Sequence, residues 1–130
     1  MRSPSPAELD LYAHAQAAAV HAYVPYSRFA VGAALLPEGG GEPVTAVNVE
    51  NASYGLTVCA ERNAVFAAVA AGHQRFDAVA VYAEADSVPP CGACRQVLAE
   101  FAPTIAVVFR RGGEVVTMGL DELLPEQFRL

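Results

Sequence analysis

Pro90-Cys91-Gly92-Ala93-Cys94, with Cys59-Ala60-Glu61 upstream of it, decides how this chain reads. These are the only three cysteines in the 130 residues. They divide into a lone thiol and a Cys-x-x-Cys pair, and a glutamate follows the lone thiol by two positions. Three soft ligands without an evident fourth describe an open zinc site of the catalytic kind, since structural zinc sites usually close with four protein ligands. The open position suits a water molecule. Glu61, a carboxylate outside the ligand set, is placed to move that water's protons.

Other readings of the cysteines account for less. A disulfide leaves one of three thiols unpaired and asks for an export signal that the sequence does not display. A redox dithiol explains Pro-Cys-Gly-Ala-Cys ahead of a helix but leaves Cys59 and Glu61 idle. A closed structural zinc site needs His14, His21 or His73, and none of them stands at ligand spacing from a cysteine. The three histidines read as exposed or locally satisfied. The open zinc site is the reading that uses every residue of the pattern.

The chain's length fits a single domain over residues 1–130. A composition 54% hydrophobic and 17% charged is rich for so short a chain, and the surplus points to apolar surface buried between subunits. No apolar run is long enough to span a bilayer. Free thiols without a secretory segment are those of a reducing cytoplasm. A net charge of −6, with only Arg110 and Arg111 adjacent among the basic residues, argues against a nucleic-acid surface and favours a small substrate.

Ser5-Pro6-Ala7-Glu8 is a capping box opening a helix that runs to about residue 23, before Pro25. Residues 28–36 and 44–50 are β-runs, joined through Pro37-Glu38-Gly39-Gly40-Gly41-Glu42-Pro43 as a hairpin. A second helix covers 58–71 and stops at Gly72, a buried strand follows at 78–83, and a third helix covers 92–101. Strands at 105–109 and 115–118 flank the Gly112-Gly113 turn, and a short helix follows at 120–124. The crossovers through the second and third helices predict parallel pairing of the strands on either side of each. The fold class is α/β, three layers α/β/α around a mixed five-stranded sheet. Cys59 and Cys91–Cys94 fall at the N-terminal ends of two helices, whose positive dipole ends favour thiolates. Arg62 is an odd residue for a helix's first turn unless its charge is used, and donation to a thiolate sulfur uses it.

With these residues laid out, the chain resembles the zinc-dependent cytidine deaminases of the homotetrameric type. The likeness runs from Tyr23-Val24-Pro25-Tyr26-Ser27 and Phe29-Ala30-Val31-Gly32-Ala33-Ala34-Leu35 to Leu123-Leu124-Pro125. It is most specific at Asn48-Val49-Glu50-Asn51, Cys59-Ala60-Glu61-Arg62 and Pro90-Cys91-Gly92-Ala93-Cys94-Arg95-Gln96. The resemblance implies one zinc on Cys59, Cys91 and Cys94, with Glu61 as proton shuttle. It implies hydrolysis of cytidine and 2′-deoxycytidine to the uridines and ammonia, a step of pyrimidine salvage. Asn48 and Glu50 would bind the ribose and Phe29 would pack on the base. Ala60, inside the zinc block, is counted with the substrate-binding residues, and Ala52, Tyr54 and Phe128 would reach a neighbouring subunit's site. Without the resemblance, Phe29 and Tyr54 read equally as core aromatics, and Asn48 and Glu50 as the polar face of a strand. Blasticidin-type deaminases share the zinc blocks, and a zinc or thiol module without enzymatic activity is the alternative of another class.

Overall fold

Ser5 starts the first helix as its sequence predicts. Its hydroxyl accepts from Glu8 N at 3.2 Å, and the Glu8 carboxylate accepts from Ser5 N at 2.8 Å. In the computed structural model, which describes residues 1–130, this helix is α1, Pro6–Ala18. It tightens into a 3₁₀ turn at Ala19–His21 and does not reach residue 23. The reason lies across the chain, because Tyr23 is extended and bridges the segment after the second strand. Tyr23 N donates to Asn48 O at 3.1 Å and Glu50 N donates to Tyr23 O at 2.9 Å.

The remaining elements are β1 (Val31–Pro37), β2 (Val44–Val47), a 3₁₀ turn at Tyr54–Leu56 and α2 (Ala60–Ala70). They are followed by β3 (Phe76–Ala83), α3 (Gly92–Phe101), β4 (Ala106–Arg111), β5 (Glu114–Gly119) and α4 (Leu120–Leu123). The sheet has five strands in the order β2-β1-β3-β4-β5. The two hairpins are present: β1 pairs antiparallel with β2, and β4 with β5 around Gly112 and Gly113 at φ 59° and 84°. The α3 crossover joins a parallel pair, β3 and β4. The α2 crossover does not. β1 lies between β2 and β3 and is antiparallel to both, so those two strands run in the same direction without touching. The predicted parallel pairing across α2 is corrected accordingly. The hairpin partner occupies the slot beside β3, and α2 must cross over it.

Both faces of the sheet are covered, which makes three layers. Val79 and Val81 of β3 pack with Ala33, Leu35, Val107 and Phe109 beneath α2 and α3. The alternate residues Ala78 and Ala80 face α1 with Ala34, Val108, Leu11, Tyr12 and Ala15. This side is built of small residues because α1 lies close to the sheet. Ala15 and Ala34 are wholly buried, and Gly32 of β1 supports the helix backbone directly. No helix is long and apolar enough to cross a membrane.

Candidate metal and nucleoside site

α2 and α3 begin at the carboxyl ends of β2 and β3, two strands pointing the same way, so their N-termini meet at one edge of the sheet. Cys59 is the N-cap of α2 and Cys91 the N-cap of α3, and neither thiol is spent on capping its helix. Cys94 follows in the first turn of α3. A short bridge between Val49 and Val58, at 3.0 and 3.1 Å, closes the loop just before Cys59. Asn63 Nδ2 then donates to Val47 O at 2.9 Å and ties the first turn of α2 to β2.

The sulfurs converge. Cys59 Sγ and Cys91 Sγ are 3.9 Å apart, Cys91 Sγ and Cys94 Sγ are 3.4 Å apart, and all three lie within 4.8 Å of one another. Ligands of a tetrahedral zinc at about 2.3 Å stand about 3.8 Å from each other, so both the spacing and the thiolate donor set fit one zinc per chain. Cys94 is buried, Cys59 half-buried and Cys91 exposed, which leaves one side of the cluster open to solvent. His14, His21 and His73 take no part in the cluster.

Glu61 sits two residues after Cys59 in the first turn of α2 and is 5% exposed. Burial pushes its carboxyl above the ordinary range, and the charge of Cys59 adds to the effect. Arg62 Nη2 donates to Cys59 Sγ at 3.4 Å. The Cys59 thiol is held down to about 5, first by the neighbouring Cys94 thiol and then by Arg62, while the same neighbour and burial push Cys94 upward. The Arg62 Nε atom is buried without a partner.

A second cluster surrounds the turn at 24–29. The Glu50 carboxylate accepts from Tyr26 N at 2.9 Å, from Ser27 N at 3.1 Å and from the Ser27 hydroxyl. The Ser27 hydroxyl lowers the Glu50 pKa most, with the two backbone donors adding to it. Ser27 Oγ also accepts from Phe29 N at 3.0 Å. Asn48 completes the network, its Nδ2 donating to Phe29 O at 2.8 Å and its Oδ1 accepting from Val31 N at 2.9 Å. The turn is strained, with Arg28 at φ 60°. Glu50 and Tyr54 line one hollow of about 290 Å³ with Tyr26, Ser27 and Thr57, and the Tyr26 and Tyr54 rings meet edge to face at 5.7 Å.

The other predicted residues are placed differently. Ala60 is fully buried in the core. Ala52 is exposed in the bend before the 3₁₀ turn. Phe128 stands apart on the outer side of α3, its carbonyl held by Gln96 Nε2 at 3.2 Å and the residue as a whole 70% exposed. Two side chains were passed over by the sequence reading. Arg95 donates to Pro90 O at 2.7 Å and to Leu123 O at 2.6 Å, fastening the Cys91 loop to α4. No local pattern announces that contact. Ser27, two residues after Pro25, carries the ordinary signature of a hydroxyl-stabilised turn.

A family model described as cytidine and deoxycytidylate deaminase zinc-binding region matches residues 7–110, a span that contains both clusters and ends before Phe128. A cytidine deaminase from Halalkalibacterium halodurans is 51% identical over 110 residues, covering 82% of this chain and 83% of its own length. The crystal structure of cytidine deaminase from Burkholderia pseudomallei superposes with a TM-score of 0.86 at 47% identity, over 92% of this chain and 98% of that one. A blasticidin-S deaminase from Bacillus cereus is 33% identical over 107 residues, covering 75% of this chain and 76% of its own length. The zinc-ready thiols, the buried carboxylate beside them and these likenesses agree, and the chain belongs to the cytidine and deoxycytidylate deaminase family.

Proposed function

We propose that this chain hydrolyses cytidine and 2′-deoxycytidine to uridine and 2′-deoxyuridine with release of ammonia, using one zinc held by Cys59, Cys91 and Cys94. The observation that carries the reading is the convergence of three thiols at two helix N-termini with Glu61 buried in the adjacent turn. Zinc in a three-thiolate site with one open position supplies hydroxide at neutral pH. Glu61 would take one proton from water and deliver it to N3 of the pyrimidine as the C4–O bond forms, then take the remaining proton from the new C4 hydroxyl and pass it to the amino group as the C4 carbonyl forms and the C4–N bond breaks. A carboxylate suits the task because it must accept and donate within one turnover. Arg62 and the two helix N-termini offset the excess negative charge of the thiolates.

Asn48 and Glu50 are assigned to the sugar and Phe29 to the base. Asn48 retains one free N–H and Glu50 retains acceptor capacity beyond their bonds to the turn. Ala60 contributes through its N–H, which lies in the first turn of α2 where helix geometry provides no partner. We assign Ala52, Tyr54 and Phe128 to a neighbouring subunit's site within a homotetramer. The exposed Leu56, Phe66 and Val69, and the tail ring of Phe128, are apolar surface of the kind subunits bury. The 130 residues act in this reading as one domain in the cytoplasm.

The greater identity to a cytidine deaminase than to the blasticidin-S enzyme favours the nucleoside. Purified, zinc-loaded protein given cytidine, 2′-deoxycytidine and blasticidin S in turn should release ammonia from the first two. Release from blasticidin S alone moves the assignment to the related class. Zinc-loaded protein that releases ammonia from none of the three overturns it.

A further inference from the structure

We propose that Ser27 is a positioning residue for nucleoside binding, its hydroxyl joining the Glu50 carboxylate to the backbone of Phe29. The inference rests on the nucleoside reading above. It starts from a closed circuit of hydrogen bonds in which each contact depends on the next. Ser27 donates its only hydroxyl proton to Glu50 Oε2 and accepts from Phe29 N at 3.0 Å. Phe29 is then held at its other end, where its carbonyl accepts from Asn48 Nδ2 at 2.8 Å. The residues assigned to the sugar and the residue assigned to the base are therefore set by one turn, with Ser27 as the shared member.

The turn needs such a member. Arg28 sits at φ 60°, a conformation that side-chain-bearing residues adopt at a cost, and the one backbone bond within the turn, from Arg28 N to Val24 O at 3.0 Å, stops short of Phe29. The Glu50 carboxylate holds the first half of the turn through Tyr26 N and Ser27 N, at 2.9 and 3.1 Å. Only the Ser27 hydroxyl carries that hold forward past Arg28 to Phe29. Removing it leaves Glu50 Oε2 without its donor and Phe29 N without its acceptor. Both effects loosen the grip on substrate, and neither touches Cys59, Cys91, Cys94 or Glu61. A hydrogen bond to a charged group that is made equally in ground and transition states acts on binding and leaves the chemical step alone.

Ser27→Ala should raise KM for cytidine about tenfold and weaken uridine binding by a similar factor, with kcat within about twofold and zinc content unchanged. Ser27→Thr, which keeps the hydroxyl, should restore most of the loss. A merely structural serine would lower the melting temperature without this split between KM and kcat. Combined with Glu50→Ala, the double variant should lose less than the product of the two single losses, because both break the same circuit. Multiplicative losses, or a Ser27→Ala enzyme with unaltered KM and uridine affinity, overturn the inference while leaving the deaminase reading intact. Wild-type zinc-loaded protein that neither binds uridine nor consumes cytidine overturns both.

Discussion

Arg2 grips Glu8 through two parallel hydrogen bonds of 2.7 and 2.8 Å, and the same carboxylate accepts from Ser5 N and, at 3.2 Å, from the buried Thr117 hydroxyl. One carboxylate thus caps α1, pins the N-terminal segment and reaches across to β5. Arg2 extends the connection by pairing with Thr117 through two backbone bonds of 2.9 Å. The Arg2 guanidinium, with the help of the Ser5 amide, holds the Glu8 pKa down to about 2 from 4.5.

That depression makes the contact a pH-dependent stabiliser. The ionised form is favoured by folding, so its contribution is complete above about 4.5 and is lost as pH falls toward about 2. The shift corresponds to about 3 kcal/mol, and screening at the 57%-exposed Arg2 side chain leaves roughly 2 kcal/mol. Glu8→Gln should be less stable by about that much at pH 7, and the gap to wild type should close between pH 4.5 and 2. Urea unfolding at several pH values measures it, and a gap that stays constant across the window contradicts the assignment.

Gly32 should be among the least replaceable residues away from the zinc cluster. A Cβ there would stand 1.9 Å from Ala15 O and 2.9 Å from Ala19 N, both backbone atoms of the α1 region. Neither can swing aside, so α1 must lift off the sheet. Gly32→Ala should cost upwards of about 3 kcal/mol or prevent folding, by the overpacking and lost burial it forces. Gly113→Ala is the control. It has φ 84° but open space around it, and should cost only about 1 kcal/mol of backbone strain. Thermal melts that rank the two variants the other way would show that α1 adapts.

The metal cluster was legible in the sequence because its information is chemical: three thiols, two helix starts and one carboxylate leave few ways to be used. The order of the strands was less so. The β-run at 28–36 and the short apolar run at 78–83 read as strands, found at Val31–Pro37 and Phe76–Ala83, and the hairpin rule shows that β1 adjoins β2. Nothing local shows that β1 also pairs with β3 on its other edge, because that choice is made by long-range packing. The Ser27 circuit was hidden for a related reason. Its parts lie in two segments joined only in space, Ser27 and Phe29 in one and Asn48 and Glu50 in the other.

Glu61→Gln should keep one zinc per chain, because the side chain is outside the ligand cluster, and should lose about 10²–10⁴-fold in kcat as the proton shuttle goes. Metal analysis beside cytidine turnover separates the two effects. Near-normal turnover with zinc in place would remove Glu61 from the mechanism.

Arg62→Gln should be milder. The Cys59 thiol, held at about 5 by Cys94 and then Arg62, loses its second support, so its pKa should move upward in metal-free protein. The pH profile of Cys59 alkylation by iodoacetamide reads that shift, with peptide mapping of the labelled protein to assign the thiol. In the zinc-loaded protein the same change should weaken metal retention against a chelator. An unmoved alkylation profile together with unchanged retention would reduce Arg62 to a surface residue.

The tail separates assembly from chemistry. Gln127 Nε2 donates to Pro103 O at 2.9 Å and Gln96 Nε2 to Phe128 O at 3.2 Å, so the tail is held to the chain's own α3 region by the Gln127 side chain and the Phe128 carbonyl. Phe128 gains little cover from that anchoring and remains 70% exposed. A backbone fixed at home with an aromatic ring presented outward suits a ring that is completed by a neighbour. Removing residues 126–130 should therefore raise KM for cytidine several-fold and leave zinc content near one per chain, since the thiols lie at the far end of α3 from the Pro103 anchor. Light scattering should find the wild type as a tetramer and the truncated protein with a weakened assembly. An active wild-type monomer, or a truncation with unaltered cytidine saturation, would refute the shared site and leave the zinc chemistry standing.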